Sequence, residues 1–510
     1  MAYAQQDSVA MRYASTITEA DLRTYLTVLA SDEYEGRETG MKGQKKAAQY
    51  IMEHFEEFGI PPVPEAEKRG LINGYQLPYP LELSRPGGIS IAVNGQALGF
   101  MQDFFYFGQK MEGESIENHV VFAGFGIKDS VRNDYAKVDA NDRTALVLQE
   151  DTGPLKKSDR PTTSFFQMLS KKTADAESAG VRILLVGCSN AHEMMKEYAH
   201  FITTPRMKLG GEEKLSGSAR RSTQTIIIDK ATAERILKRG GLTWNKAVKR
   251  ARKSVGTSLS CPVTISAIPE RQEITAEDVL GYLEGGDKKE EVLLVTAHYD
   301  HIGMDDKGEV YNGADDDGSG TVSVMEMAQA FARAKAEGHG PRRSILFMTL
   351  SGEEKGLLGS QWYSEHPVFA LANTIADLNI DMIGRVDTIH QKNDHYVYII
   401  GSDRLSSELH VINERANDTY TGLDLDYTFN AESDPNRFYY RSDHYNFARF
   451  GIPIIFYFNG VHADYHQLGD EVQKIRFDLL RQRAQLVFYT AWELANRDQR
   501  IVVDKPIKKE

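Results

Sequence analysis

Cysteine is nearly absent from this 510-residue chain: Cys188 and Cys261 stand far apart and without metal-type spacing. That excludes a disulfide scaffold and a cysteine-ligated zinc module, and both thiols read as buried and unpaired. Long apolar runs are missing too. The run Ile452–Phe458 is short and broken by Pro453, so no stretch reads as a membrane-spanning helix. An excess of positive charge is also lacking, since the formal net charge is −13, which argues against a general polyanion-binding role and against nucleic acid as a partner. Neither an internal repeat nor a low-complexity tract is present. With 41% hydrophobic and 26% charged residues the chain is not a disordered one, and its length suits two or three domains. The opening MAYAQQDSVA has no basic or apolar leader region; Ala2 to Gln6 resembles what small-residue signal cleavage leaves, so a secreted, periplasmic or cell-surface location after signal removal is expected, and a cytoplasmic one otherwise.

What is present divides the chain by pattern. Thr18 reads as an N-cap opening a helix, and Lys45 to Phe58 has the apolar spacing of a second, which Gly59 and Pro61-Pro62 terminate. Between them LASDEYEGRETGMKG reads as a polar loop. From Gly87 to Phe107 the pattern turns to alternating strands about Asn94-Gly95. Residues from about 110 to 262 carry short apolar strands such as Ala145–Leu148 and Ile183–Val186, with no His/Asp/Glu constellation, and read as a separate β-rich module. Within it Phe104–Tyr106 just upstream reads as core, and the basic run Lys246–Lys253 as a solvated helical face. After Val263 strands and helices alternate to the C-terminus, the mark of an α/β fold: a mixed, mostly parallel sheet sandwiched by helices, with functional groups at the carboxyl ends of strands.

The chemistry begins where the apolar run Val292–Val295 ends, in HYDHIGMDDKGEVYNGADDDGSG. His298 and Asp300 leave the strand end, and Asp315, Asp316 and Asp317 follow in a Gly-rich turn. Imidazole with carboxylate suits a divalent transition metal. Taken alone, three aspartates in such a turn are more often a solvated loop or a calcium site. Three later strand ends add donors: Glu353 and Glu354 after Ser344–Leu350, Asp381 after Ile375–Ile380, and His462, Asp464, His466 and Asp470 in the loop after Ile452–Phe458. Four strand ends thus carry oxygen and imidazole donors, and no cysteine.

These motifs carry a resemblance. H-Y-D, G-A-D-D-D-G-S-G, S-G-E-E-x-G-L-L-G-S, L-N-I-D-M-I-G-R, R-S-D-H-Y-N-F and Y-H-Q-L-G-D-E occur in the order found in co-catalytic zinc exopeptidases of the bacterial leucyl aminopeptidase and aminopeptidase Y type. Glutamate carboxypeptidase II, transferrin receptor and glutaminyl cyclase are similar in fold. The resemblance implies an N-terminal segment over residues 1–110 packed on the catalytic domain, an inserted protease-associated-like domain over 111–262, and a zinc exopeptidase domain over 263–510.

It also implies roles. His298 and Asp381 would bind one metal, Glu354 and His466 the other, and Asp316 both; two divalent ions, zinc by resemblance, are the expected cofactors. Glu353 would be the general base, Asp300 would hold the His298 ring, and Tyr465 would donate to a developing oxyanion. Arg441, Ser442, Asp443 and His444 are expected as supporting or substrate-contacting residues, while Asp315 and Asp317 shape the turn and Asp470 caps or orients. The expected activity is metal-dependent release of N-terminal residues from peptides with a free N-terminus. A carboxypeptidase of the same fold, using Arg385 or Arg441 to clamp a substrate carboxylate, a one-zinc glutaminyl cyclase, and a receptor-like module without catalysis are the alternatives.

Overall fold

The computed structural model describes residues 6–109, 111, 114–149, 165–211, 222–268, 270–305 and 307–505. The reading of residues 2–5 as the trace of a cleaved leader lies outside them. No helix among the described residues is long and apolar enough to cross a membrane. The chain forms two compact units, one of residues 1–81, 208–211 and 273–510, the other of 82–207 and 212–272.

The first unit is built on a nine-stranded sheet. Its order is Asp424–Asp426, Tyr396–Ile400, Ile454–Phe458, Thr374–Ile380, Lys288–His298, Arg343–Leu350, Glu270–Leu283, Gln76–Arg85 and Arg206–Leu209. Lys288–His298 runs parallel to both of its neighbours, and Thr374–Ile380 runs parallel to Ile454–Phe458. Burial explains the apolar runs. Leu293 and Val295 join one buried cluster with the helices Gly320–Ala336 and Phe477–Asn496, whereas Val292 and Leu294 join another on the opposite face with Tyr363 and Phe447. A strand covered by helices on both faces has no polar side, hence its unbroken hydrophobicity. The central strands run parallel, so His298, Leu350, Ile380 and Phe458 all end at one edge, where the loops carry the candidate donors.

The N-terminal helices belong to this unit. Thr18 caps Glu19–Leu29 by accepting from Asp21 N–H, and the second long helix runs Lys42–Glu57, starting slightly earlier than its periodicity suggests. Between them lies no solvated loop but a tight turn, Asp32–Arg37, whose Arg37 is fully buried.

The second unit holds an eight-stranded sheet. Thr144–Leu148, Ile183–Cys188 and Gln224–Asp229 pair in parallel, and Thr257–Ala267 pairs antiparallel with both Ile89–Val93 and Glu114–Phe122. It is more helical than expected: Phe165–Ser178, Ala191–Glu197, Lys230–Arg239 and Trp244–Ala251 cover the sheet, giving one core through Leu146 and Leu185 and another through Val147 and Val186. Its boundaries also differ from 111 and 262. Ile89–Val93 and Phe104–Phe105 hydrogen-bond to strands of this sheet, so residues from 82 onward belong to it. Phe104–Tyr106 are core residues, and Cys188 and Cys261 are free, buried thiols, with burial pushing Cys188 up to about 12.

Candidate active site

The edge of the parallel strands gathers the candidate donors around Asp316. Its Oδ1 lies 3.4 Å from His298 Nε2, and its Oδ2 lies 3.1 Å from His466 Nε2. His298 Nε2 is in turn 3.7 Å from Asp381 Oδ1, and His466 Nε2 is 3.1 Å from Glu354 Oε2. The two oxygens of one carboxylate therefore face two separate donor groups. Donors about 2.0–2.3 Å from a tetrahedral zinc stand roughly 3.4 Å from one another, so these spacings fit one ion on each side of Asp316.

Other observations agree with a bound cation. Asp316 Oδ2 and Glu354 Oε1 are buried without a hydrogen-bond partner among the described residues, and the neighbouring His301 has neither ring nitrogen satisfied. Buried polar atoms in a protein interior are rarely left so. Two donor groups of carboxylates and imidazoles gather here, His298 with Glu353 and Asp381, and His301 with Asp316 and Glu354. Burial alone would lower the pKa of His466, but its contacts with Asp316 and Glu354 raise it to about 10. Such crowding of carboxylates demands positive charge.

Loop geometry sets these side chains. His298 is oriented by Asp300, though by its backbone: His298 Nδ1 lies 3.1 Å from the Asp300 carbonyl oxygen and 3.6 Å from its carboxylate. The Asp300 carboxylate instead accepts from Thr39 Oγ1 and from Glu353 N–H, so it fixes the start of the Glu353 turn. That turn needs Gly352, at φ 76°, because a Cβ there would meet the Tyr79 hydroxyl at 2.7 Å. Met382, directly after Asp381, and His466 itself also have positive φ, a strained backbone for residues with side chains.

Asp470 accepts the backbone N–H groups of Asp315 and Asp316. Asp317 accepts from His298 N–H, Gly320 N–H and Met382 N–H, which ties both metal-side loops together. Asp315 accepts from Gly384 N–H and faces His462 at 3.1 Å. Both outer aspartates of the turn are thus occupied with shaping it.

Beside the donors lies a cleft lined by Asp316, Glu353, Asp381, Arg441 and Tyr465 and by an apolar wall including Met382, Phe438, Phe456 and Phe458. Glu353 presents its carboxylate here, 4.0 Å from His298 Nε2, and burial holds its pKa well above the ordinary range. Tyr465 stacks on His466 with ring centroids 3.9 Å apart. Arg441 is exposed at the rim over the Phe438 ring.

The other residues of that motif turn inward. Ser442 accepts from Asn379 Nδ2, Asp443 accepts from Ser360 Oγ, and His444 pairs with the Tyr439 carbonyl and stacks on Phe456. Burial holds His444 at about 3, hence neutral. These three support the wall and do not face the cleft. Arg385 is committed to Asp464 at 2.8 Å, which takes it out of the running as a carboxylate clamp.

Three site residues escape the sequence pattern. Arg37 donates to the carbonyls of Leu29, Tyr299, Asn312 and Gly313, binding both arms of the metal-side stretch, and Thr39 holds Asp300. Both sit in a stretch that reads as surface. His301 lies three residues beyond His298, and that spacing was its one visible signal.

Residues 278–491 match the model of peptidase family M28. A probable leucine aminopeptidase of Arthroderma otae is 30% identical over 213 residues, covering 41% of this chain and 55% of that protein. Leucine aminopeptidase 1 of Penicillium rubens is 33% identical over 189 residues, covering 36% of this chain and 47% of that protein. The chain thus spans about half the length of the curated relatives it matches. Among solved structures, an aminopeptidase from Aneurinibacillus sp. strain AM-1 superposes with a TM-score of 0.55 at 17% identity, over 98% of this chain and 100% of that one. A zinc aminopeptidase from Bacillus subtilis gives 0.51 at 17% identity, over 94% and 96%. These likenesses extend the shared fold across both units.

Proposed function

Since residues 278–491 are a peptidase family M28 domain, we propose that the chain is a zinc-dependent aminopeptidase that hydrolyses the N-terminal bond of peptides. One observation carries this reading: a single carboxylate, Asp316, shared by two donor groups, with the Glu353 carboxylate beside them on the cleft wall. His298 and Asp381 would hold one ion and Glu354 and His466 the other, with Asp316 placed to serve both. When bound, two such ions acidify a shared water and polarise a carbonyl.

The chain's own groups do the rest. Glu353, on the cleft wall beside the donors, accepts the water's proton and passes it to the leaving amine. Tyr465 donates its hydroxyl hydrogen towards the oxyanion, and stacking on His466 limits where its ring can go. The apolar wall of Met382, Phe438, Phe456 and Phe458 receives the substrate's first side chain and keeps water from it.

A carboxypeptidase reading rests on Arg441 alone, now that Arg385 is paired. Free-amine aminoacyl reporters and N-acetylated peptides, assayed with chelator and with zinc restored, separate the two. Release confined to the free-amine set, abolished by chelator and recovered with zinc, supports the proposal; release from N-acetylated peptides alone overturns it.

A further inference from the structure

Resting on the two-ion reading above, we propose that His301 is a third imidazole ligand of the centre, joining Asp316, Glu354 and His466 around the second ion. His301 is completely buried, yet neither ring nitrogen has a hydrogen-bond partner among the described residues. Leaving a buried polar atom unmatched costs about 1–3 kcal/mol, so a side chain kept in that condition calls for a partner. The unmatched atoms converge. His301 Nδ1 lies 2.8 Å from Glu354 Oε1 and 3.9 Å from Asp316 Oδ2, contacts without the alignment of a hydrogen bond, and both oxygens lack an aligned donor as well. A donor atom from each of His301, Asp316 and Glu354 falls within 4.8 Å of the others. The His466 ring stands edge-on to the His301 ring, centroids 5.8 Å apart, on the same pair of carboxylates.

The pose of His301 is built, not incidental. Its N–H donates to the Arg37 carbonyl, and Glu38 bridges to it in parallel. Its ring lies flat against Gly313, where a Cβ would come within 2.5 Å of ring atoms Cγ and Cδ2. Glycine at 313 is therefore what admits an imidazole beside Glu354. The two positions consequently differ. The side holding His298, Asp316 and Asp381 offers three protein donors and keeps a place for substrate or water. The side with His301 offers four, which leaves the shared water as a fifth position, and should therefore fill first.

Zinc K-edge X-ray absorption on the wild-type protein loaded with two equivalents of zinc counts imidazoles without any substitution. Three imidazoles over two ions average about 1.5 per zinc, against about 1 if His301 stays out. The companion measurement titrates metal-free wild type and His301→Gln with zinc, with circular dichroism to confirm the fold. The expected result is a first binding step weakened roughly 10- to 100-fold in the variant and a second step left nearly unchanged. About one imidazole per zinc, or identical titrations, would overturn the assignment of His301 while leaving the two-ion reading intact. A wild-type chain that takes up no zinc overturns both.

Discussion

The Asp470 side chain accepts the backbone N–H groups of Asp315 and Asp316, at 3.0 and 3.1 Å, from a loop about 155 residues away. The carboxylate proposed to bridge two ions is thus aimed by another carboxylate that binds neither. Asp470→Ala should leave Asp316 present but loosely held, lowering zinc affinity about 10- to 100-fold, as loss of a supporting partner does. Asp315→Ala should behave differently. Asp315 pairs with His462 and with Gly384 N–H, so its loss should lower the melting temperature while two zinc ions per chain are retained. Zinc content after dialysis against a weak chelator, measured alongside thermal melting, separates the two variants; Asp315→Ala losing zinc as readily as Asp470→Ala would contradict this division of roles.

Arg37 is the buried cation that ties the N-terminal turn to the metal-side stretch. Replacing it with methionine leaves four carbonyl oxygens, those of Leu29, Tyr299, Asn312 and Gly313, without their donor. Arg37→Met should cost about 3–5 kcal/mol of stability, in the range for breaking a buried charged network. Arg37→Lys should recover little, because one ammonium cannot replace a planar fork with five donors. Denaturant unfolding followed by fluorescence gives the measurement, and a lysine variant as stable as wild type would refute the argument.

Glu326, in the helix Gly320–Ala336, is buried and accepts from Thr18 N–H, and burial lifts its pKa to about 8. Its folded value lies above its ordinary one, so the unfolded chain ionises first as pH rises. This group's contribution to stability is therefore favourable below about pH 4.5 and is lost progressively up to about pH 8. Glu326→Gln should remove that dependence, raising the melting temperature at pH 8.5 more than at pH 5. An equal change at both pH values would show that Glu326 does not titrate in this window.

Much of the fold and of the site is legible in the sequence because the strands that matter are local signals. Predominantly apolar runs leading to His298, Asp381 and the Glu353–Glu354 pair announce buried parallel strands and the ends that carry the donors, and these are the strands the structure places side by side. What the pattern hides is long-range. Arg37 and Thr39 sit among Asp, Glu and Gly, and it is contacts more than 250 residues away that draw them into the interior. The boundary at residue 82 is hidden for the same cause: Ile89–Val93 belongs to the second sheet only through its register with Val263–Ala267. His301 stays hidden because the His298–Asp300 spacing already completes the motif.

The central claim is that Glu353 moves the proton while its neighbours hold the metal. The direct measurement compares zinc content and turnover of a free-amine aminoacyl reporter for wild type and Glu353→Ala, each loaded with two equivalents of zinc. Two zinc ions retained in the variant and a rate about 10²- to 10⁴-fold lower, the usual worth of general acid–base catalysis, are expected. Equal turnover with the same metal content would contradict it.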